Sequence, residues 1–121
     1  MNDRQIFQNH LAQTSPFPLS LEISGSGGIY LIDKDGKKYA DMISGIGVSI
    51  IGHRNVDVIN AINSQTQKYM HTMVYGEHIM SPQTQLAEFL TNILPPNLDN
   101  VYLVNSGTEA VEGALKIAKK Y

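Results

Sequence analysis

Apolar positions fall into two regimes along the chain. Through residue 54 they come in short runs broken by Gly, Pro and polar residues, and from residue 55 they recur at helical spacing. In the first regime, residues 3–13 predict a short amphipathic helix ended by Ser15-Pro16-Phe17-Pro18. Leu19 to Ile23 reads as extended, before the glycine-rich "SGSGG" at 24–28. "IYLID" and "KKYADM" then flank Lys34-Asp35-Gly36, the turn chemistry of an antiparallel hairpin. Residues 43–53, "ISGIGVSIIGH", are too broken for a helix and alternate poorly for a strand. They read as a loop whose glycines let the backbone pass close to something.

In the second regime, Asn55 caps a long helix with Val56, Ile59, Ile62, Tyr69, Met70 and Met73 on one face, and Asp57 suits its first turn. Residues 73–80 connect to a helix capped by Ser81, opened by Pro82 and running through Leu94, with Leu86, Phe89, Leu90 and Ile93 on its buried stripe. Pro95-Pro96 stops it. A strand at 100–104 leads into a helix at 107–120, whose apolar stripe is Val111, Ala114, Leu115 and Ala118. Glu112 and Lys116 form an i,i+4 pair in the favoured order. Helix, helix, strand, helix is the opening of a layered α/β domain.

Composition narrows the function classes. The 121 residues are 42% hydrophobic and 17% charged, an ordinary globular balance. The net charge of −2 gives no reason to expect nucleic acid or an anionic membrane as partner. The absence of cysteine removes disulfides and thiolate zinc sites and fits a reducing compartment. The N-terminal "MNDRQIFQNH" lacks a signal-peptide pattern, and no apolar run is long enough to cross a bilayer, so a cytoplasmic location is expected.

The chemistry concentrates in "VYLVNSGTEAVE" at 101–112, where a strand-forming run breaks into Asn105-Ser106-Gly107-Thr108 just before a helix. The first backbone N–H groups of a helix have no partner within it, and its dipole makes that end partly positive. A glycine admits an anion close to the backbone, and the hydroxyls of Ser106 and Thr108 can add donors. The plainer reading is an N-cap at Ser106 and a tight turn at Gly107, with Glu109 in the first turn unfavourable to an anion unless its side chain points away.

Other constellations fail. "GSGG" at 25–28 precedes a strand, and Gly45-Ile46-Gly47 has Ile50 where a dinucleotide fingerprint needs a glycine. "DKDGKK" has Lys37 in place of the third acid of a calcium loop. His10, His53, His71 and His78 show no metal-ligand spacing and read as solvated or capping, so no metal is expected. Ser44 and Ser49 have no identifiable base. Met70, Met73 and Met80 read as core filler.

Three segments, in order, resemble the class III (ornithine/acetylornithine/4-aminobutyrate type) pyridoxal-phosphate aminotransferases. "NSGTEAVEGALKIAKKY" is similar to that family's N-S-G-[ST]-E-A helix opening followed by A-x-K-x-A-[RK]. "GGIYLIDKDGKKYADMISGIG" is similar to its N-terminal hairpin and glycine-bearing loop, with Ala40 where a larger apolar residue is usual. "IGHRNVDVINAI" is similar to its L-G-H-x-[HN]-P-x-[VI]-x-x-A-I helix entry, with Asp57 where proline is usual. The resemblance spans nearly all of residues 19–121.

The resemblance implies an α/β fold: the N-terminal part of the aspartate-aminotransferase-like (fold type I) pyridoxal-phosphate-dependent transferase fold. Residues 1–54 would belong to its small domain, and 55–121 would begin the large cofactor-binding domain. It implies that Ser106, Gly107 and Thr108 bind the phosphate of pyridoxal 5′-phosphate, that Ser44, Gly45, Ile46 and Gly47 line the substrate side, and that Tyr75 reaches the active site at a homodimer interface. The implied reaction moves an amino group from an amino acid or ω-amine to a 2-oxo acid, commonly 2-oxoglutarate.

None of Lys34, Lys37, Lys38, Lys68, Lys116, Lys119 or Lys120 matches the family's Schiff-base lysine motif, which is expected beyond Tyr121. The 121 residues are therefore expected to be the N-terminal portion of a longer enzyme, inactive alone. Alternatives are a truncated or catalytically dead interaction module, a class III aminomutase-type isomerase, and an unrelated small phosphate-binding α/β domain.

Overall fold

The structure, a computed structural model, describes residues 1–73 and 76–121. The described residues form two compact units, Met1–Met70 and His71–Tyr121.

The first unit is built on a three-stranded antiparallel sheet of β1 (Ile23–Gly27), β2 (Tyr30–Asp33) and β3 (Lys38–Ala40), in that order. The expected hairpin is present, with Tyr30 opposite Ala40, Leu31 opposite Tyr39 and Ile32 opposite Lys38. Asp33 closes its turn: one carboxylate oxygen accepts from the N–H groups of Asp35 (3.0 Å) and Lys37 (2.9 Å), the other from the Tyr39 hydroxyl (2.9 Å). Burial opposes ionisation of Asp33, but these donors outweigh it and hold the carboxyl below the ordinary aspartate value.

The "SGSGG" stretch is not the break its composition suggests. Ser24 to Gly27 lie inside β1, which pairs with β2 and carries an irregularity between Ile23 and Gly25. Pairing with an already formed hairpin overrides the low strand propensity of glycine, and the irregularity sits where glycine tolerates it.

α1 (Asp3–His10) is shorter than the expected 3–13 and starts with a capping box between Asn2 and Gln5. Arg4 links it to the sheet through Glu22 (2.6 Å), which also pairs with Lys34 (2.5 Å). The lysine and then the arginine hold the Glu22 carboxyl below its ordinary value.

After β3 the chain makes one short turn, α2 (Ser44–Gly47), and then α3 (Val56–Thr66). Asn55 caps α3 as expected, its side chain accepting from the N–H groups of Asp57 and Val58. Val56, not Asp57, stands at the first helical position, the place in a helix entry that favours proline. α3 ends at Thr66, so Tyr69, Met70 and Met73 do not extend its apolar face. The side chain of Gln65 instead donates to the Tyr69 carbonyl (3.0 Å), folding the chain back after the last turn.

In the second unit, α4 (Ser81–Ile93) begins one residue earlier than its expected cap implies, with Met80 at the N-cap and Ser81 already helical. The Ser81 hydroxyl accepts from Gln85 (3.0 Å), one turn on, and so is not a backbone cap. α5 (Gly107–Lys120) matches its predicted bounds, and Glu112 pairs with Lys116 (2.9 Å). Residues 100–104 are not a strand. Strand-forming side chains need a neighbouring strand to receive their backbone bonds, and the described residues of this unit contain none.

Candidate functional site

Ser106 caps α5. Its side-chain oxygen accepts from the Glu109 N–H (3.2 Å), and a Glu109 carboxylate oxygen accepts in return from the N–H groups of Asn105 (2.8 Å) and Ser106 (3.1 Å). Glu109 therefore bends back over the cap, and its carboxylate is bonded to the two N–H groups that precede the helix. The N–H groups of Gly107 and Thr108 and the Thr108 hydroxyl have no partner among the described residues. The Ser106 O–H, engaged only as an acceptor, retains its proton to donate.

A Cβ built on Gly107 would meet nothing within 4 Å, so that side is open for an anion to approach the backbone. Thr108 lines an open groove of about 1010 Å³ together with Tyr102, Asn105, Glu109, Glu112 and Lys116. Two free N–H groups at a positive helix end with two hydroxyl donors fit a phosphate ester.

In the first unit, Ser44, Gly45, Ile46 and Gly47 form one turn with φ of 50°, 60°, 62° and 79°, all left-handed. Gly45 and Gly47 adopt this freely, whereas Ile46 is β-branched and bears a steric cost of about 1–2 kcal/mol. The turn projects Ile46, which is 91% exposed.

Backbone bonds from Ile46 and Gly47 to Ile43, and from Val48 and Ser49 to Ser44, close the turn. Asp41 caps it: one carboxylate oxygen accepts from the N–H groups of Ile43 (3.1 Å) and Ser44 (2.9 Å), the other from His53 Nε2 (2.7 Å). The Ser44 bond, followed by the His53 bond, holds the Asp41 carboxyl below its ordinary value. His53 in turn exchanges two backbone bonds with Gly28 (2.7 and 3.1 Å).

Sequence reasoning missed this arrangement. His53 is a half-buried bonded residue, neither solvated nor a cap, and its partner lies twelve positions upstream, outside any local spacing rule. The "GH" of the helix entry was the one available signal. Tyr75 lies outside the described residues. Among the described residues no three His, Asp or Glu side chains gather as metal ligands, and no helix is long and apolar enough to cross a membrane.

The fold is that of pyridoxal-phosphate-dependent aminotransferases. It superposes with a TM-score of 0.89 and 31% identity on adenosylmethionine-8-amino-7-oxononanoate aminotransferase from Methanocaldococcus jannaschii, covering 98% of this chain and 28% of that one. The taurine:2-oxoglutarate aminotransferase of Bifidobacterium kashiwanohense, solved in complex with PLP and glutamate, matches at a TM-score of 0.77 and 28% identity, over 95% of this chain and 26% of that one. The sequence profile described as Aminotransferase class-III matches residues 12–121. Acetylornithine aminotransferase of Methanopyrus kandleri is 34% identical over 124 residues, covering 100% of this chain and 30% of that enzyme.

The chain belongs to the class-III aminotransferases, an enzymatic family that uses pyridoxal phosphate. It spans less than a third of the length of these relatives.

Proposed function

We propose that the protein transfers an amino group from an amino acid or ω-amine to a 2-oxo acid, with 2-oxoglutarate as acceptor. The observation that carries this reading is the start of α5, where the N–H groups of Gly107 and Thr108 and the Thr108 hydroxyl have no partner among the described residues and Glu109 is bonded to the N–H groups of Asn105 and Ser106. In this reading Ser106, Gly107 and Thr108 hold the phosphate of pyridoxal phosphate and thereby orient its ring; they move no proton. When bound, the cofactor supplies the electron sink that a substrate carbanion needs. Ser44, Gly45, Ile46 and Gly47 line the substrate side, with Ile46 presenting an apolar surface to the donor.

Tyr75 reaches the site at a homodimer interface, residues 55–121 begin the cofactor-binding domain, and the protein works in the cytoplasm. The resemblance of residues 19–121 to the family supports the first two assignments, and the cysteine-free composition fits the third.

The test is to incubate the intact protein with pyridoxal phosphate, a panel of α- and ω-amines, and 2-oxoglutarate, and to measure glutamate. Glutamate formation that depends on both amine and 2-oxoglutarate is the expected result. Conversion of the amine without any 2-oxo acid would instead identify an amino-shifting isomerase, and no turnover with any donor would overturn the reading.

A further inference from the structure

Asp41 and His53 bracket the loop that carries Ile46, and both ends of that loop are fixed to the same sheet. The Asp41 N–H donates to the Ile29 carbonyl (2.8 Å), extending the β2–β3 pairing, while His53 bridges Gly28 at the β1–β2 turn. The side chains close the circuit at 2.7 Å, and with 9% exposure for Asp41 and 18% for His53 they are among the better shielded polar groups of this unit. A carboxylate can only accept, so Nε2 of His53 carries the proton in this bond.

The other oxygen of Asp41 accepts from the N–H groups of Ile43 and Ser44, at the entry to the left-handed turn. Ile46 itself has almost no covering contacts, so its left-handed backbone is held by the turn's own bonds and by this carboxylate.

We propose that Asp41 and His53 form a clasp that positions the Ser44–Gly47 turn, and with it Ile46, for recognition of the amino donor. Both are positioning residues, since neither needs to touch substrate. The proposal rests on the reading that this turn lines the substrate side.

The test compares Asp41→Ala, Asp41→Asn and His53→Ala in the intact protein supplied with pyridoxal phosphate. The measurements are KM and kcat for the donor, the cofactor dissociation constant, and hydrogen exchange at the Ser44 amide. Asp41→Ala is expected to raise donor KM about tenfold or more, with kcat reduced far less and cofactor affinity within about twofold of wild type. Asp41→Asn is expected to recover most of the loss. Its amide oxygen still accepts from Ile43 and Ser44, and its NH₂ can donate to His53 in the other tautomer. His53→Ala is expected to fall between the two.

Unchanged donor KM in both alanine variants overturns the proposal. So does a parallel fall of cofactor affinity and donor affinity, the mark of a merely structural role. If Asp41→Ala does not fold, the asparagine and His53→Ala variants decide by the same criteria. Absence of any amino transfer by the wild type defeats the functional reading and the donor role together. Ser44 exchange, faster by about tenfold in the alanine variants than in wild type, then still reports whether the clasp exists.

Discussion

At the scale of single residues, two glycines make opposite demands. Gly52 has a φ of 84°, and a Cβ there would sit 3.1 Å from the Gly28 carbonyl oxygen, in the bridge that His53 makes. Gly52→Ala therefore combines left-handed strain of about 1–2 kcal/mol with a tight contact on the Gly28 backbone, and is expected to loosen the Gly28–His53 bridge. Faster exchange of the Gly28 and His53 amides would register this, and unchanged exchange would refute it.

Gly107 has open space on its Cβ side and an ordinary backbone. Gly107→Leu should leave the thermal midpoint of the cofactor-free intact protein nearly unchanged while weakening pyridoxal phosphate, because the side chain obstructs only an incoming anion. Thr108→Val removes one hydroxyl donor to an anionic oxygen, a loss of about 1.5–3 kcal/mol, or roughly tenfold to a hundredfold in cofactor affinity. Equal cofactor titrations for wild type and both variants would remove Ser106–Thr108 from the site. The capped start of α5 at Ser106 was legible in the sequence, because helix N-termini follow local rules. The clasp was not, because Asp41 and His53 meet only through the sheet that joins them.

At the scale of elements, local signals carried far and tertiary ones did not. The hairpin, the Asn55 cap and α5 follow from turn chemistry, capping residues and periodicity, all contained within a few positions. β1 and residues 100–104 depart from expectation in opposite directions for one reason: a strand is defined by its neighbour. "SGSGG" gained a neighbour in β2, whereas "VYLV" has none among the described residues.

The sheet unit should also respond to acid. Asp33 and Asp41 both have carboxyls below the ordinary aspartate value of 3.8. A group depressed in the folded state contributes stability above its unfolded value and loses it as pH falls through the folded one. The hairpin turn and the clasp should therefore be fully formed at neutral pH and loosen below about pH 4. Amide exchange at Lys37 and Ser44, compared between pH 7 and pH 3 after correction for intrinsic rates, would show the loss. Protection unchanged at pH 3 would contradict it.

At the scale of the whole molecule, the apolar stripes that define the helices remain uncovered. Val56 and Ile62 on α3 are 63% and 56% exposed, Phe89 and Ile93 on α4 are 60% and 63%, and Val111 and Leu115 on α5 are 61% and 57%. Among the described residues the buried hydrophobic core is Met80 alone. Ordering a residue costs about 1–2 kcal/mol of backbone entropy, and fully burying a large aliphatic side chain returns about 1.5–3 kcal/mol. With the stripes exposed, that return is mostly missing within each unit, and capping boxes and surface ion pairs, worth about 1 kcal/mol or less each, do not replace it. The amphipathic faces are thus shaped for apolar surface that neither unit supplies by itself.

The 121-residue polypeptide expressed alone is therefore expected to lack a cooperative thermal transition and to self-associate as its concentration rises. Calorimetry and sedimentation over a hundredfold range of concentration, roughly 1–100 μM, would check both. A single sharp transition with a monomeric mass throughout that range would mean that the exposed stripes find partners within the chain, and that each unit does not depend on outside apolar surface for its stability.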